Sequence, residues 1–392
     1  MANHALVYGA SGITGWAIVN QILNGFPTKD AFASVTALTN RPLPKEAAQW
    51  PESDKLQVVS GVDLLNPKGQ EALDAELKER VKNIKEITHV YFFAYIMDPN
   101  PEEEIRVNVE LISRAITAIE HTSSNLKFVV LPTGTKAYGV HLLDNFPFAK
   151  DLPLRESLPR IPEPYASQMF YYNQTDMLSS MSRGKPWTWC EVIPDMIVGF
   201  VPNNNIYCLA QFLALYLSLY AHVNGKASEV AFPGTEISWK NKTNDSSQDI
   251  CAKVSIVASL KPEESSEQRY NAADDAEPSS WSRKWPVICE YFGLVGTPPP
   301  AGGSGPEPAA YLAEHVDAWK GLEEKHGLVT GRVGNSRSFG GFPYFIMTML
   351  NFDRQMDMSK TQDMMGEYAE NVDTKKAWYT AFDRFRKAKI IP

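Results

Sequence analysis

One stretch limits what this chain can fold into more than any other: residues 5–23, ALVYGASGITGWAIVNQIL. Ala5, Leu6, Val7 and Tyr8 form a short uncharged apolar run of the kind that fills a buried parallel strand. Gly9, Gly12 and Gly15 follow at regular spacing, and Trp16, Ile18, Val19, Ile22 and Leu23 then recur at helical spacing. A strand therefore runs into a helix through a glycine turn. A helix N-terminus offers free N–H groups and the positive end of a dipole, and glycine lets the backbone come close to a diphosphate. The Gly-x-x-Gly-x-x-Gly spacing differs from the Gly-x-Gly-x-x-Gly form. Its place on the first strand nonetheless fits the opening of a doubly wound sheet that holds a dinucleotide. Ser11 and Ile13, inside the same turn, join the three glycines as expected cofactor contacts.

The pattern then repeats. Strands are expected at 32–38, 55–60, 88–93 and 126–131, with helical spacing over 71–81 and 102–119, and a sixth strand at 187–193. Alternation of this kind predicts an α/β fold, a doubly wound parallel sheet with helices on both faces. At 392 residues the chain exceeds the size at which one core keeps growing. Two domains are expected: a Rossmann domain over 1–200 and a smaller, mainly helical substrate region over 201–392. Short strands near 229–232 and 270–275 could return to the sheet. Helices are expected at 281–292, 317–326 and 377–389, the last packing through Trp378, Tyr379, Phe382 and Phe385.

Charge and composition exclude several partners. A net charge of -8 and a pI near 5.5, with no Arg/Lys run, argue against nucleic acid or an anionic membrane surface. The 4 cysteines are scattered and read as reduced thiols, and the 7 histidines show no ligand spacing, so no metal is expected. Residues 206–223 carry no formal charge, yet Gln211, Ser218 and His222 interrupt them and no cation cluster flanks them. They read as a buried helix or one wall of an apolar pocket rather than a membrane span. The opening MANHALVYG has no signal-peptide character, so a cytoplasmic location is expected and the sequons at Asn173, Asn241 and Asn244 are chance.

The cofactor can be read further from the strand ends. The tip of the second strand faces the adenosine ribose in such sheets, where a carboxylate would bond a 2′-hydroxyl and an arginine would accept a 2′-phosphate. Here the tip is Thr39, Asn40 and Arg41, with no carboxylate, which points to NADP(H). Asp63 and Leu64 follow the third strand, toward the adenine edge. Ala94 and Tyr95 follow the fourth, toward the nicotinamide. The loop after the fifth strand, PTGTKAYG with Thr133, leaves the carboxyl edge of the sheet, where ligands of open α/β sheets bind.

With TGTKAYG, FYYNQTD and the closing KAKIIP, the chain resembles the plant progesterone 5β-reductase and iridoid synthase family. These are atypical short-chain dehydrogenase/reductases that reduce enones with NADPH, and the similarity runs over essentially the whole chain. The resemblance implies that Tyr171, first of the tyrosine pair, is the catalytic tyrosine and Lys136 the catalytic lysine. Thr175 stands four residues after Tyr171, where ordinary members of the superfamily have lysine. Gly9, Gly12 and Gly15 match the pyrophosphate loop, and Arg41 matches the second of two arginines that hold the 2′-phosphate. Asn40 replaces the other arginine, Ala137 a histidine after the lysine, and Met169 an asparagine before Phe170-Tyr171-Tyr172. Ile193-Pro194-Asp195-Met196-Ile197 stands for Arg-Pro-Gly-Asn-Ile beside the nicotinamide, so Pro194 and Ile197 are expected cofactor contacts and Asp195 brings a carboxylate near them.

Hydride addition to an enone leaves charge on the carbonyl oxygen, which a positioned phenol can bond or protonate. Tyr171 would be that donor, and Lys136 would lower its pKa while contacting the nicotinamide ribose. Tyr172, about 100° further round the helix, is expected to pack against the sheet. Tyr95, Tyr138, Phe200 and the 206–223 helix are expected to line a pocket for an apolar small-molecule substrate. Carbonyl reduction, or a cyclase or isomerase reaction, could use the same residues. A non-catalytic NADP sensor would need neither Tyr171 nor Lys136. Whether the chain forms a homodimer is left open.

Overall fold

In the computed structural model, which describes residues 2–335 and 340–392, the glycine stretch forms the strand, turn and helix its pattern predicts. β1 (His4–Tyr8) leads through the glycines into α1 (Ile13–Leu23). Then come β2 (Ser34–Thr39), β3 (Leu56–Ser60), α2 (Gln70–Arg80), β4 (His89–Phe92), α3 (Pro101–Thr122), β5 (Phe128–Pro132), α4 (Phe170–Ser182) and β6 (Thr188–Pro194). Local signals set these boundaries. Asn100 caps α3 by accepting from the Glu102 N–H, and Glu102, Glu103 and Glu104 sit at the positive end of its dipole.

Seven parallel strands form one sheet in the order β3-β2-β1-β4-β5-β6-β7, the last being Gln268–Ala272. β1 lies in the interior, and its residues alternate as a pleat requires. Ala5 and Val7 face the layer that contains α1, while Leu6 and Tyr8 face the layer built from α2 and α3. The strand order reverses between β1 and β4, so a crevice opens at their carboxyl ends.

The sheet layer draws on both halves of the chain. β7 pairs with β6, and the helix Gln248–Leu260 packs beside α1, so a cut at residue 200 would leave a strand and a helix of this layer in the second segment. Glu229–Ala231 does not return to the sheet; it pairs with Val295–Thr297 in a separate two-stranded ladder. The closing helix, Thr374–Lys387, docks through Phe385 on Phe200, whose other side meets Trp16 of α1. Trp378 and Phe382 are buried with Phe385, and Tyr379 stays at the rim.

The uncharged helix near 206–223 spans Leu209–Asn224, and its residues 209–217 are buried in the core of the carboxyl-terminal half. Among the described residues no helix is long and apolar enough to cross a membrane. The four cysteines are buried and unpaired.

Candidate active site

The glycine turn is shaped by what a side chain there would strike. Gly9 has φ +72, and a Cβ on it would lie 2.5 Å from the carbonyl carbon and oxygen of Phe93. A Cβ on Gly15 would lie 2.4 Å from the Gly9 carbonyl oxygen. Only glycine allows α1 to start this close to the ends of β1 and β4. Gly12 caps α1 without any side-chain hydrogen bond, so the first N–H groups of the helix remain available to a ligand.

A groove of about 530 Å³ runs from this turn across the sheet edge. Gly9, Ser11, Gly12, Ile13, Gly15, Thr39, Asn40, Arg41, Asp63, Leu64, Ala94, Tyr95 and Ile197 all line it. Their roles differ. The Thr39 hydroxyl donates to the Arg41 carbonyl at 2.7 Å and so shapes the tip of β2. Asp63 accepts from the Leu65 N–H at 3.0 Å. Arg41 and Asn40 are exposed, and the Arg41 guanidinium has no hydrogen-bond or ion-pair partner among the described residues. The groove thus presents a backbone anion cradle at one end and a free guanidinium at the tip of β2, which fits a dinucleotide.

A second cavity, about 640 Å³, opens beside the groove at the carboxyl ends of β4 and β5 and shares Ile13, Ala94, Tyr95, Ile197 and Tyr207 with it. Thr133, Pro194, Lys136 and Tyr171 line it. Lys136 lies on the single turn Thr135–Tyr138 after β5, and Tyr171 on the first turn of α4. The Tyr171 hydroxyl lies against that lysine turn: a methyl placed on Gly134 would sit 3.5 Å from it. Neither the Tyr171 hydroxyl nor the Lys136 ammonium has a hydrogen-bond partner among the described residues, so both are available to a ligand.

Four expectations need correction. Burial pushes the Tyr171 phenol up from its ordinary pKa, reinforced by the charge of Glu104 and by Tyr207; Lys136 does not lower it. The phenol is therefore held neutral, as a donor. Tyr138 is buried away from the cavity, its hydroxyl donating to Asn271 at 2.8 Å, because alternate residues of a tight turn point to opposite sides. Phe200 is wholly buried between Trp16 and Phe385. The helix after residue 208 does not line the cavity; only Ile206 and Tyr207, which precede it, do.

Two other residues also sit differently from their sequence reading. Tyr172 packs beneath the lysine turn rather than on the sheet, donating to the Ala137 carbonyl at 2.6 Å. Asp195 reaches the cavity, but Arg354 neutralises it at 3.1 Å, so it brings no free carboxylate to the cofactor.

Tyr95 lines the cavity as expected, and groups with no sequence signal, Phe342 first among them, complete its wall. Tyr95 stacks on Phe170 at 5.3 Å, and Tyr207 stands edge-on to Phe342 at 5.4 Å, which gives one wall an aromatic character. Phe345, Ile346 and Leu350 add apolar surface from a distant part of the chain. His141 also lines the cavity with its Nδ1 unpartnered, and burial, with Lys136 nearby, pushes its pKa down to about 4. It is a neutral imidazole beside the lysine.

A Rossmann sheet, a glycine cradle and a tyrosine and lysine on one cavity define a dinucleotide-dependent enzyme of the short-chain dehydrogenase type. The profile of the PRISE-like Rossmann-fold domain matches residues 5–392, and the chain belongs to that family. It is therefore an oxidoreductase of the short-chain dehydrogenase/reductase superfamily that uses a nicotinamide dinucleotide.

Among its relatives, short chain dehydrogenase ausT of Aspergillus calidoustus is 33% identical, over 99% of this chain and 94% of that protein. Short chain dehydrogenase sirQ of Leptosphaeria maculans is 30% identical, over 99% and 97%. The (S)-8-oxocitronellyl enol synthase ISY1 of Nepeta cataria is 27% identical over 74% of this chain and 69% of that protein. Among solved structures, a UDP-glucose 4-epimerase from Thermus thermophilus in complex with NAD shares the fold, with TM-score 0.59 and 15% identity over 98% of this chain and 99% of that one.

Proposed function

We propose that this protein is an NADPH-dependent reductase of an activated C=C bond, an enone or enal, in an apolar small molecule. The observation that carries the reading is that the unpartnered Tyr171 hydroxyl and the unpartnered Lys136 ammonium border one apolar cavity that opens onto the groove.

The bound dinucleotide would supply the hydride. Gly9, Gly12 and Gly15 would hold its diphosphate, and Arg41, exposed and free at the tip of β2, would take the 2′-phosphate. The aromatic wall of Tyr95, Phe170, Tyr207 and Phe342 would hold the substrate and exclude water. As hydride reaches the β-carbon, the C=C electron pair moves toward the carbonyl oxygen. A neutral phenol bonds that oxygen and passes its proton to it, giving the enol. The raised pKa of Tyr171 suits this role, since the proton is still present at neutral pH. Lys136 would contact the nicotinamide ribose and balance the charge that develops on substrate and phenol.

The test is loss of NADPH absorbance with a panel that includes cyclohexenone and cinnamaldehyde. Turnover with one of these is expected, and removal of the Tyr171 hydroxyl in Tyr171→Phe should lower kcat/KM by about 10²–10⁴-fold while NADPH still binds. No turnover with any of the panel, or undiminished turnover in Tyr171→Phe, refutes the reading. Similarity to an enol synthase supports a second reading, in which the enol leaves and reacts onward without further reduction. One NADPH consumed per cyclised or rearranged product would identify it.

A further inference from the structure

The turn that carries Lys136 rests on two buried carboxylates from another part of the chain. Thr133 Oγ1 donates to Glu191 Oε1 at 2.6 Å, and Thr135 Oγ1 donates to Asp195 Oδ1 at 3.1 Å. Gly134, against which the Tyr171 hydroxyl lies, sits between the two threonines.

Each carboxylate is matched by an arginine from later in the chain. Arg269 Nε donates to Glu191 Oε2 at 2.8 Å, and Arg354 Nε donates to Asp195 Oδ2 at 3.1 Å. The Glu191 and Asp195 side chains are only 4% and 3% exposed. Asp195 also accepts from Thr243 Oγ1 at 2.7 Å, and Arg354 donates to the carbonyl of Leu350, a cavity-wall residue, at 3.3 Å. A buried ion pair is tolerated when further hydrogen bonds satisfy its remaining lone pairs, and here the lysine turn supplies one such bond to each carboxylate. The turn gains in return. A single 3₁₀ turn has poor internal hydrogen-bond geometry and does not hold a long side chain in place by itself.

We propose that Thr135 and Asp195, backed by Arg354, are positioning residues that fix the Lys136 turn so that its ammonium and the Tyr171 hydroxyl face the same reacting atoms. This inference rests on the reductase reading above. Tyr172 holds the far side of the turn through the Ala137 carbonyl, so losing the Thr135 bond shifts the turn without unfolding it. Thr135→Val keeps the buried volume and leaves the Asp195–Arg354 pair intact, and Thr135→Ser keeps the hydroxyl.

The test uses the full-length protein and both variants, with two readouts: NADPH oxidation on cyclohexenone and cinnamaldehyde, and amide hydrogen exchange over residues 134–141. Misplacement by about 1 Å can cost about a hundredfold, so Thr135→Val should lower kcat by about 10–100-fold with little change in substrate KM. It should also raise exchange in the turn by about tenfold, equivalent to about 1.4 kcal/mol of lost local stability. Thr135→Ser should behave as wild type in both. Unchanged kcat or exchange in Thr135→Val overturns the inference, and so does a Thr135→Ser variant impaired as far as the valine. If the unaltered protein turns over neither compound, the reductase reading fails instead, and the exchange readout alone decides whether Thr135 holds the turn.

Discussion

Two turns leave the carboxyl edge of the same sheet and are built on opposite principles. The turn between β1 and α1 is held by backbone: glycines at positions where a methyl would strike carbonyls, and a helix start with no side-chain cap. The turn after β5 is held by side chains, with Thr133 and Thr135 donating to Glu191 and Asp195, and Tyr172 to Ala137. The difference follows from what each turn would do in the proposed reductase. A diphosphate is bound by main-chain N–H groups, which need close approach and nothing else. An ammonium on a flexible stem must be aimed at one atom, which requires fixed points on more than one side.

Perturbing each turn separates them. The largest effect should come from Asp195→Asn, which leaves the Arg354 guanidinium buried without its counter-charge. A loss of about 3–5 kcal/mol is expected in denaturant unfolding. Replacing both partners, as in Asp195→Asn with Arg354→Met, should recover much of that stability but not the turnover.

Gly9→Ala comes next. Its methyl meets the Phe93 carbonyl in a backbone conformation with positive φ, strain of about 1–3 kcal/mol. NADPH affinity should fall about 10–100-fold by fluorescence titration, and exchange in the lysine turn should stay unchanged. Arg41→Ala should raise the KM for NADPH about tenfold and leave NADH use alone, the loss expected for one charged hydrogen bond. Equal effects on both cofactors would count against a 2′-phosphate contact.

The smallest effect is on pH. His141 is held neutral in the folded protein, with its pKa pushed down to about 4, whereas the unfolded chain protonates near the ordinary 6.5. The unfolded state then binds more protons between these values. The contribution is fully present above about pH 6.5 and is lost as pH falls toward 4. The cost at about pH 5.5 should be on the order of 1 kcal/mol or less, since the ring is half-buried. It should show as faster exchange, after correction for intrinsic rates, near residue 141 and not near residues 9–15.

The same contrast decides what could be read in the sequence. β1 to β6 lie within two residues of the apolar runs that predict them, and the glycine cradle is local, so its spacing announces it. Tyr171 and Lys136 are legible only through the resemblance that the short motifs around them carry. The clamp on Lys136 had no such signal, because Thr135 meets Asp195 and Arg354 from positions far apart in the chain. Phe342 and Phe345 likewise reach the cavity only through the fold. The helix Gln248–Leu260 is hard to read in the sequence, because serines interrupt its apolar pattern; Ser255 and Ser259 turn their hydroxyls back onto the helix's own carbonyls. Tyr138 and Phe200 lie close in sequence to cavity residues, yet their side chains turn into the core.

The position of β7 has a consequence for synthesis. While the chain emerges from the ribosome, six strands can assemble, but the outer backbone groups of β6 have no neighbour until residue 272 has been made. During that interval the nascent protein displays a sticky ribbon edge that another copy could extend. Expression of fragments that stop near residue 200 should therefore yield inclusion bodies, and co-expressing the remaining segment should rescue them only if it delivers the missing strand in time.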